Sequence, residues 1–405
     1  MKKTGVLLFL LSFSSLVMAW EMPPRFFEVA FDAEFGADNS YLSLGDFFNA
    51  AQTLALDFDS LGSREFSLDF AAKGNFALNV QARGKHWIGV GLYTGFDTLG
   101  FFAIPEDAMG FLFRGGNLSN LEGGLELGGS VFADTGLKTS FRAGKFRFAV
   151  SPALYIPVLY MPRPDITYRV TSTNPLKGVL HADAVAYTAV PVNDDFLNSP
   201  SFTADDASNM PRGVDLSVDV SYGLFSFLDV GGSVSHIPLY PAYMQYGARV
   251  DKTYVINENE LDLNDLLDGG LGGIISPEPS EDDLEYFSGA HKAVFRPLRF
   301  AAYAFYKPFK KDWLALRPWI GFSALTVYDS ACFNFGLDFQ LKLVNMLNFH
   351  YAFSLMEKVW QNKLAIGLNL RLLELDVGAG FRSREFTGAF TVKGFYASVG
   401  MRLGF

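Results

Sequence analysis

The chain has 405 residues, of which 49% are hydrophobic, 16% aromatic and only 19% charged, with a formal net charge of −10. An ordinary soluble domain carries about 25% charged residues, and disorder needs low hydrophobicity, so neither class fits. The negative charge removes any electrostatic case for binding nucleic acid.

Residues 1–19 read as a secretory signal. Lys2 and Lys3 form the basic n-region, Gly5 to Val17 the apolar core, and Val17-Met18-Ala19 the small-x-small cleavage site. Cleavage is expected near Ala19-Trp20, leaving residues 20–405 as the mature protein. Beyond residue 20 no run of about 18 apolar residues follows, so the sequence offers no helical membrane span. A chain this apolar has one other way to satisfy its backbone in lipid, which is a closed β-barrel.

Residues 20–64 are expected to hold the first strand, near Phe26–Phe35, and a loop; the alternative is a plug inside the lumen. From Phe66 the pattern has period two. Phe66, Leu68, Phe70, Ala72, Gly74, Phe76, Leu78, Val80 and Ala82 keep one parity, as do the odd positions from Leu125 to Phe141. A spanning strand needs only about 9–11 residues, so both runs are expected to project beyond the membrane. Val214, Leu216, Val218, Val220 and Tyr222 alternate with Asp215, Ser217, Asp219 and Ser221. Phe333 to Lys342 and Lys363 to Arg371 repeat the pattern. One face meets lipid and the other a wet lumen.

Short turns are expected near Arg83–His86, Arg142–Lys145, Leu224–Phe227, Lys307–Asp312, Leu343–Leu347 and Leu372–Glu374. Long loops are expected at 97–120, 157–212 and 237–292. The alternation of the two lengths is that of an outer-membrane barrel with short periplasmic turns and long outer loops. The fold is therefore read as all-β, a transmembrane antiparallel β-barrel of about 14 strands, within a range of roughly 12 to 16. Trp87 and Trp313 follow short turns, and Trp360 falls in an expected outer connection, as interfacial girdles would have them. Phe405 finishes an alternating strand with Leu403, Met401, Val399 and Phe395 on its face, a strand that resembles the C-terminal signal read by the barrel-assembly machinery. Outer-membrane lipid is the other expected partner, and the location is the cell outer membrane.

Little points to catalysis. There is no GxSxG elbow and no HExxH, and Gly89-Val90-Gly91 lies in an alternating strand rather than before a helix. His86, His181, His236, His291 and His350 show no metal-ligand spacing. Cys332 is the only cysteine, so no internal disulfide forms. No enzyme activity, cofactor or metal is expected. The loop 157–212 is rich in Pro, and 237–292 is acidic between Asp251 and Glu285, which reads either as a solvated outer loop or as a divalent-ion or ligand surface. Asp69, Asp215, Asp219, Asp338 and Asp376 face the lumen by parity and are candidate pathway or gating charges. Phe101, Phe102, Phe111 and Phe113 form a candidate apolar outer-loop patch, of the kind that marks ligand contact.

The plan of signal peptide, strand number, long outer loops, N-terminal segment and terminal Phe resembles the long-chain fatty-acid transporter family of outer-membrane barrels. Phe35-Gly36-Ala37-Asp38-Asn39-Ser40 and Asn49-Ala50-Ala51 occupy the stretch of that family's plugging segment, with Ala50 where the family's Asn-Pro-Ala has Pro. The resemblance implies a barrel that binds hydrophobic substrates. The function read from the sequence is transport of a small or hydrophobic solute across the outer membrane. The alternative is a surface-exposed adhesin or structural barrel acting through 157–212 and 237–292.

Overall fold

Alternating apolar and polar side chains can be satisfied only where the two faces of a strand meet different media, and a closed wall separates such media without leaving a strand edge in lipid. The computed structural model describes residues 25–40, 65–82, 86–114, 121–171, 177–192, 208–257, 285–309, 313–328, 331–344, 346–390 and 393–405. In chain order the strands are β1 (Phe27–Asn39), β2 (Phe66–Ala82), β3 (His86–Ile104), β4 (Leu121–Ala143), β5 (Phe146–Met161), β6 (Asp165–Thr171) and β7 (Lys177–Thr188). Next come β8 (Gly213–Phe225), β9 (Leu228–Tyr240), β10 (Ala242–Met244), β11 (Tyr246–Asn257), β12 (Glu285–Phe287), β13 (Lys292–Val294) and β14 (Leu298–Tyr306). The last are β15 (Leu314–Ala324), β16 (Cys332–Val344), β17 (Leu347–Met356), β18 (Val359–Asn369), β19 (Leu373–Ser383) and β20 (Gly394–Gly404). One helix, α1 (Glu106–Arg114), lies between β3 and β4.

The wall is a closed antiparallel circuit. Each of β1 to β5 pairs with the next. The chain then leaves the wall and returns, so that β5 pairs with β8 and β8 with β9. A second excursion follows, after which β9 pairs with β14. From β14 to β20 every neighbour pairs with the next, and β20 returns to β1 with Glu28 opposite Gly404 and Asp38 opposite Gly394. The fold is thus an all-β closed antiparallel barrel, with a strand number inside the range read from the sequence.

The outward parity is apolar and open to its surroundings. Val377 is 62% exposed, Phe333 60%, Ile320 58% and Leu364 53%. A soluble domain would not expose such residues in continuous rows. Aromatic rings gather at both rims. Phe309 stacks on Trp313 at 4.8 Å beside the short β14–β15 connection. At the other rim Phe353, Trp360, Phe386 and Phe390 pack at 5.0–6.0 Å between centroids. Trp360 is the second residue of β18 rather than part of a connection. The β17–β18 link needs only Glu357 and Lys358, both with positive φ, the backbone that closes a two-residue hairpin.

The regions read as long loops contain ordered structure. β3 continues to Ile104 and is followed by α1, so only part of 97–120 is loop. Within 157–212 lie the end of β5, β6 and β7, and within 237–292 lie the end of β9, β10, β11 and β12. The acidic run from Glu258 to Leu284 lies outside the described residues, as do residues 41–64. At 23 residues, β4 is about 75 Å long at ~3.3 Å per residue, far more than a bilayer requires. Its first turn of sequence, Leu121–Leu125, pairs with β6. β6 then pairs with β7, β7 with β11, and β11 with β12, forming a flap beyond the barrel.

The flap has one charged, exposed face and one partly buried face, where Tyr168 and Val170 alternate with Arg169 along β6. Arg169 and Glu122 pair at 2.8 Å with both side chains more than half exposed, and hydrogen bonding to Arg169 holds Glu122 below its usual range. Arg249 bridges Asp183 and Asp251, each at 3.0 Å. Exposed pairs of this kind add little to stability, because solvent screens them. α1 covers part of the flap through Ala108, which packs with Leu121, Tyr168 and Val170. The Tyr168 hydroxyl donates to Asp107 at 2.8 Å.

Candidate functional site

The inward parity builds a charged lumen, and its order along the axis follows the strand registers. The end that holds the β2–β3, β4–β5, β8–β9, β14–β15, β16–β17 and β18–β19 connections is the turn end, and the opposite end, where the long connections and the two-residue β17–β18 hairpin lie, is the loop end. Near the turn end Arg402 lies 3.7 Å from Glu374 and 3.9 Å from Asp32, and Arg25 lies 3.8 Å from Glu374. Further in, Lys363 sits 3.9 Å from Glu34 and 3.9 Å from the centroid of the Tyr396 ring. On the neighbouring strands β15 and β16, Arg317 clamps Asp338, its direct cross-strand partner. Arg299 binds Glu357 at 2.8 Å and Asp97 at 3.2 Å, and Lys73 approaches Asp97 at 3.7 Å. Removing a charge from water is costly unless it is paired, and each of these cations meets a carboxylate.

A deeply buried pair lies on the seam where the barrel closes. Arg382 Nε donates to Asp38 at 2.6 Å and Nη1 donates to the Gly36 carbonyl at 3.2 Å. Both side chains are buried. Two glycines make the approach fit. A Cβ on Gly36 would stand 2.7 Å from Arg382 Cδ, and one on Gly394 would stand 2.2 Å from Asp38 Cβ.

Between these rungs lies a cavity of about 270 Å³. Asp32, Glu34, Lys73, Arg317, Asp338, Lys363, Asp376 and Arg402 contribute its charges, and Trp319, Tyr303 and Tyr396 contribute rings. The lining is more apolar than polar, and its charges are close to balanced because acids and bases are interspersed.

At the loop end, segments of the chain's own connections fold into the mouth. β10 and β13 form a separate two-stranded ribbon, Ala242 opposite Val294 and Met244 opposite Lys292. Ala242, Met244 and Val294 are buried against Phe132 of β4 and Tyr155 of β5. The Tyr155 hydroxyl donates to the Val294 carbonyl at 2.9 Å. Just after the ribbon, Arg296 reaches Asp134 at 3.2 Å and Asp215 at 3.4 Å. The connection after β15 sends Val327 and Tyr328 inward, and Tyr328 stacks on Phe101 at 4.4 Å. Arg384, from the connection after β19, lies over the Phe101 ring at 5.5 Å and binds Asp69 at 2.6 Å.

Four of the five aspartates read from the sequence divide between these two places. Asp338 and Asp376 line the cavity. Asp69 and Asp215 are buried at the mouth with Arg384 and Arg296. Asp219 accepts from the Tyr303 hydroxyl at 3.4 Å. The phenylalanines read as an outer-loop patch need correction. Phe101 and Phe102 belong to β3, not to a loop. Being consecutive strand residues they point to opposite faces. Phe101 is buried in the mouth, whereas Phe102 meets Phe66 edge-on at 6.4 Å. Phe111 and Phe113 fall in α1, and their side chains lie outside the described residues.

The sequence reading missed the basic half of the site: Arg296, Arg299, Arg317, Arg382, Arg384 and Arg402. Parity alone carries a signal for three of them, since Arg317, Arg382 and Arg402 sit at polar positions of alternating strands. Arg296 and Arg384 lie in connections, where no period marks direction.

No protein-family model matches the chain, and no curated protein matches it. Among solved structures it is similar to the Ralstonia pickettii toluene transporter TbuX, at 7% identity over 94% of this chain and 90% of that one, with a TM-score of 0.46. It is similar to a Pseudomonas aeruginosa FadL homologue at 8% identity over 95% and 91%, TM-score 0.45. The Pseudomonas putida toluene transporter TodX follows at 8% identity over 94% and 89%, TM-score 0.41. At these scores the likeness is one of general barrel plan, and what this chain does is argued from its own residues.

Proposed function

We propose that this protein is an outer-membrane β-barrel that passes a small or hydrophobic solute across the outer membrane, its loop end outside and its turn end in the periplasm. The observation that carries the reading is a cavity lined by charged and aromatic side chains within a closed wall whose outer face is apolar, beneath a mouth stopped by the chain's own connections. In this reading the membrane wall is the circuit of fourteen strands from β1 to β20, with β6, β7, β11 and β12 lying outside it. The test is conductance of the refolded protein in a planar bilayer, paired with uptake into liposomes of a neutral sugar and of an apolar aromatic. A folded barrel that passes neither sinks the proposal.

The flap favours a second reading, surface recognition, because it stands beyond the wall with the exposed charges of Glu122, Arg169, Asp183, Arg249 and Asp251 gathered on one face. Deleting residues 165–188 while the barrel still folds would remove that recognition and leave solute passage intact. We further propose that β20 is the strand read by the assembly machinery. The carbonyl of Phe405 accepts from the backbone N–H groups of Phe26 and Phe27 at 2.6 and 3.2 Å, so its ring anchors the seam as well. Phe405→Ala is expected to cut the fraction of assembled barrel in cells several-fold, while refolding into detergent changes little; equal losses in both would assign the ring to stability alone.

A further inference from the structure

The barrel wall does not need the segment that fills its mouth. β10 and β13 pair only with each other among the described residues, and neither belongs to the closed circuit. The β9–β14 ladder begins at Ser235 opposite Arg299 and runs toward the turn end, so residues 288–297 contribute no rung to it. This strap could leave the mouth while every wall ladder stayed intact. Its ends suit such a movement. Gly289 has φ +83 with nothing within 4 Å of an added Cβ, so the backbone turns there in open space. Pro297 at the other end fixes the elbow where the strap joins β14, and its carbonyl lies 2.9 Å from His236 Nδ1.

The strap's hold on the wall is small and specific. Tyr155 donates to Val294, which packs with Ala242 and Met244 of β10 beside Phe132. The strap is also tied to β10 by the β10–β13 ladder and by the Ala290 N–H, which donates to the Gln245 carbonyl at 3.0 Å. The rest of its hold is electrostatic. One guanidinium, Arg296, faces two buried carboxylates, and neither oxygen of Asp215 has a hydrogen-bond partner. A buried carboxylate left without a hydrogen bond weakens the closed state, and a single cation serving two acids is a contact that can be released.

We infer that residues 288–297 are a displaceable stopper latched by Arg296 to Asp134 and Asp215, and that the lumen opens when this strap leaves the mouth. The inference deepens the transport reading and rests on it for its purpose. The latch itself is tested without reference to any solute.

The experiment uses the full chain refolded into lipid vesicles, with Cys332→Ala removing the native thiol and Met244→Cys reporting on the strap. Met244 is fully buried in the closed mouth. A water-soluble maleimide is therefore expected to react slowly with M244C alone. Adding Arg296→Gln is expected to raise the rate roughly a hundredfold, the population change that follows loss of one partner of a buried ion pair. The double change Asp134→Asn with Asp215→Asn is expected to do the same, and Arg296→Lys, which keeps a cation, to stay slow. Heat-modifiable mobility confirms that each barrel is folded. Tyr155→Phe, which leaves all charges in place, supplies a milder release if the charge variants fail to fold. Fast labelling of M244C without any latch change overturns the proposal, as does equal protection in a folded Arg296→Gln barrel. If labelling accelerates and yet no solute crosses, the strap stands and the transport reading falls.

Discussion

Arg382→Ala will cost the folded barrel about 3–5 kcal/mol, the loss expected when a buried ion pair is left with one partner. Asp38 would be left with no replacement for a 2.6 Å hydrogen bond, in a place that water does not reach. Asp38→Ala should be as harmful, because Arg382 would then be stranded with only the Gly36 carbonyl as a partner. The double change D38A/R382A should recover part of the loss, since removing both charges leaves neither to be desolvated. Urea unfolding of the barrel from lipid vesicles measures all three. A single-variant loss below about 1 kcal/mol would mean that water already reaches the pair.

Val377→Arg will cost about 2–4 kcal/mol, and Leu372→Arg no more than about 1 kcal/mol, although both positions are more than half exposed. The reason is depth. Val377 stands midway along β19 opposite Ile366, where a guanidinium would face hydrocarbon. Leu372 sits in the turn before β19, where a long side chain reaches water. Equal losses at the two positions would show that this face does not meet lipid. The comparison thus tests the membrane reading separately from anything that passes through the lumen.

The wall was legible in the sequence because its cause is local. A strand between lipid and water must alternate, and Val214 to Tyr222 or Leu364 to Leu370 do so without reference to the rest of the chain. The inward aspartates followed from the same parity. What escaped was set by contacts distant in sequence. Phe101 and Phe102 looked like a pair on one loop, but a strand longer than the membrane requires sends one into the mouth and the other outward. The stopper escaped as well. Lys292 to Pro297 is too short for a period, and Arg296 gains its meaning only when β4 and β8 bring Asp134 and Asp215 to it. The flap was hidden for a different reason: β6 alternates over only the seven residues Asp165–Thr171, inside a stretch whose prolines and polar residues read as a loop.

The pairing of β1 with β20 also sets an order in time. Asp38 meets Gly394, more than 350 positions along the chain. Until the final strand arrives, both edges of the growing sheet present unpaired backbone groups that hydrocarbon will not tolerate. The chain therefore cannot insert progressively as it is exported. It must be held unfolded in water until its last strand is through, and closure of the seam is then a single event in which strand pairing and the Arg382–Asp38 contact form together. An escort for the waiting chain is as much a requirement of this topology as the membrane that receives it.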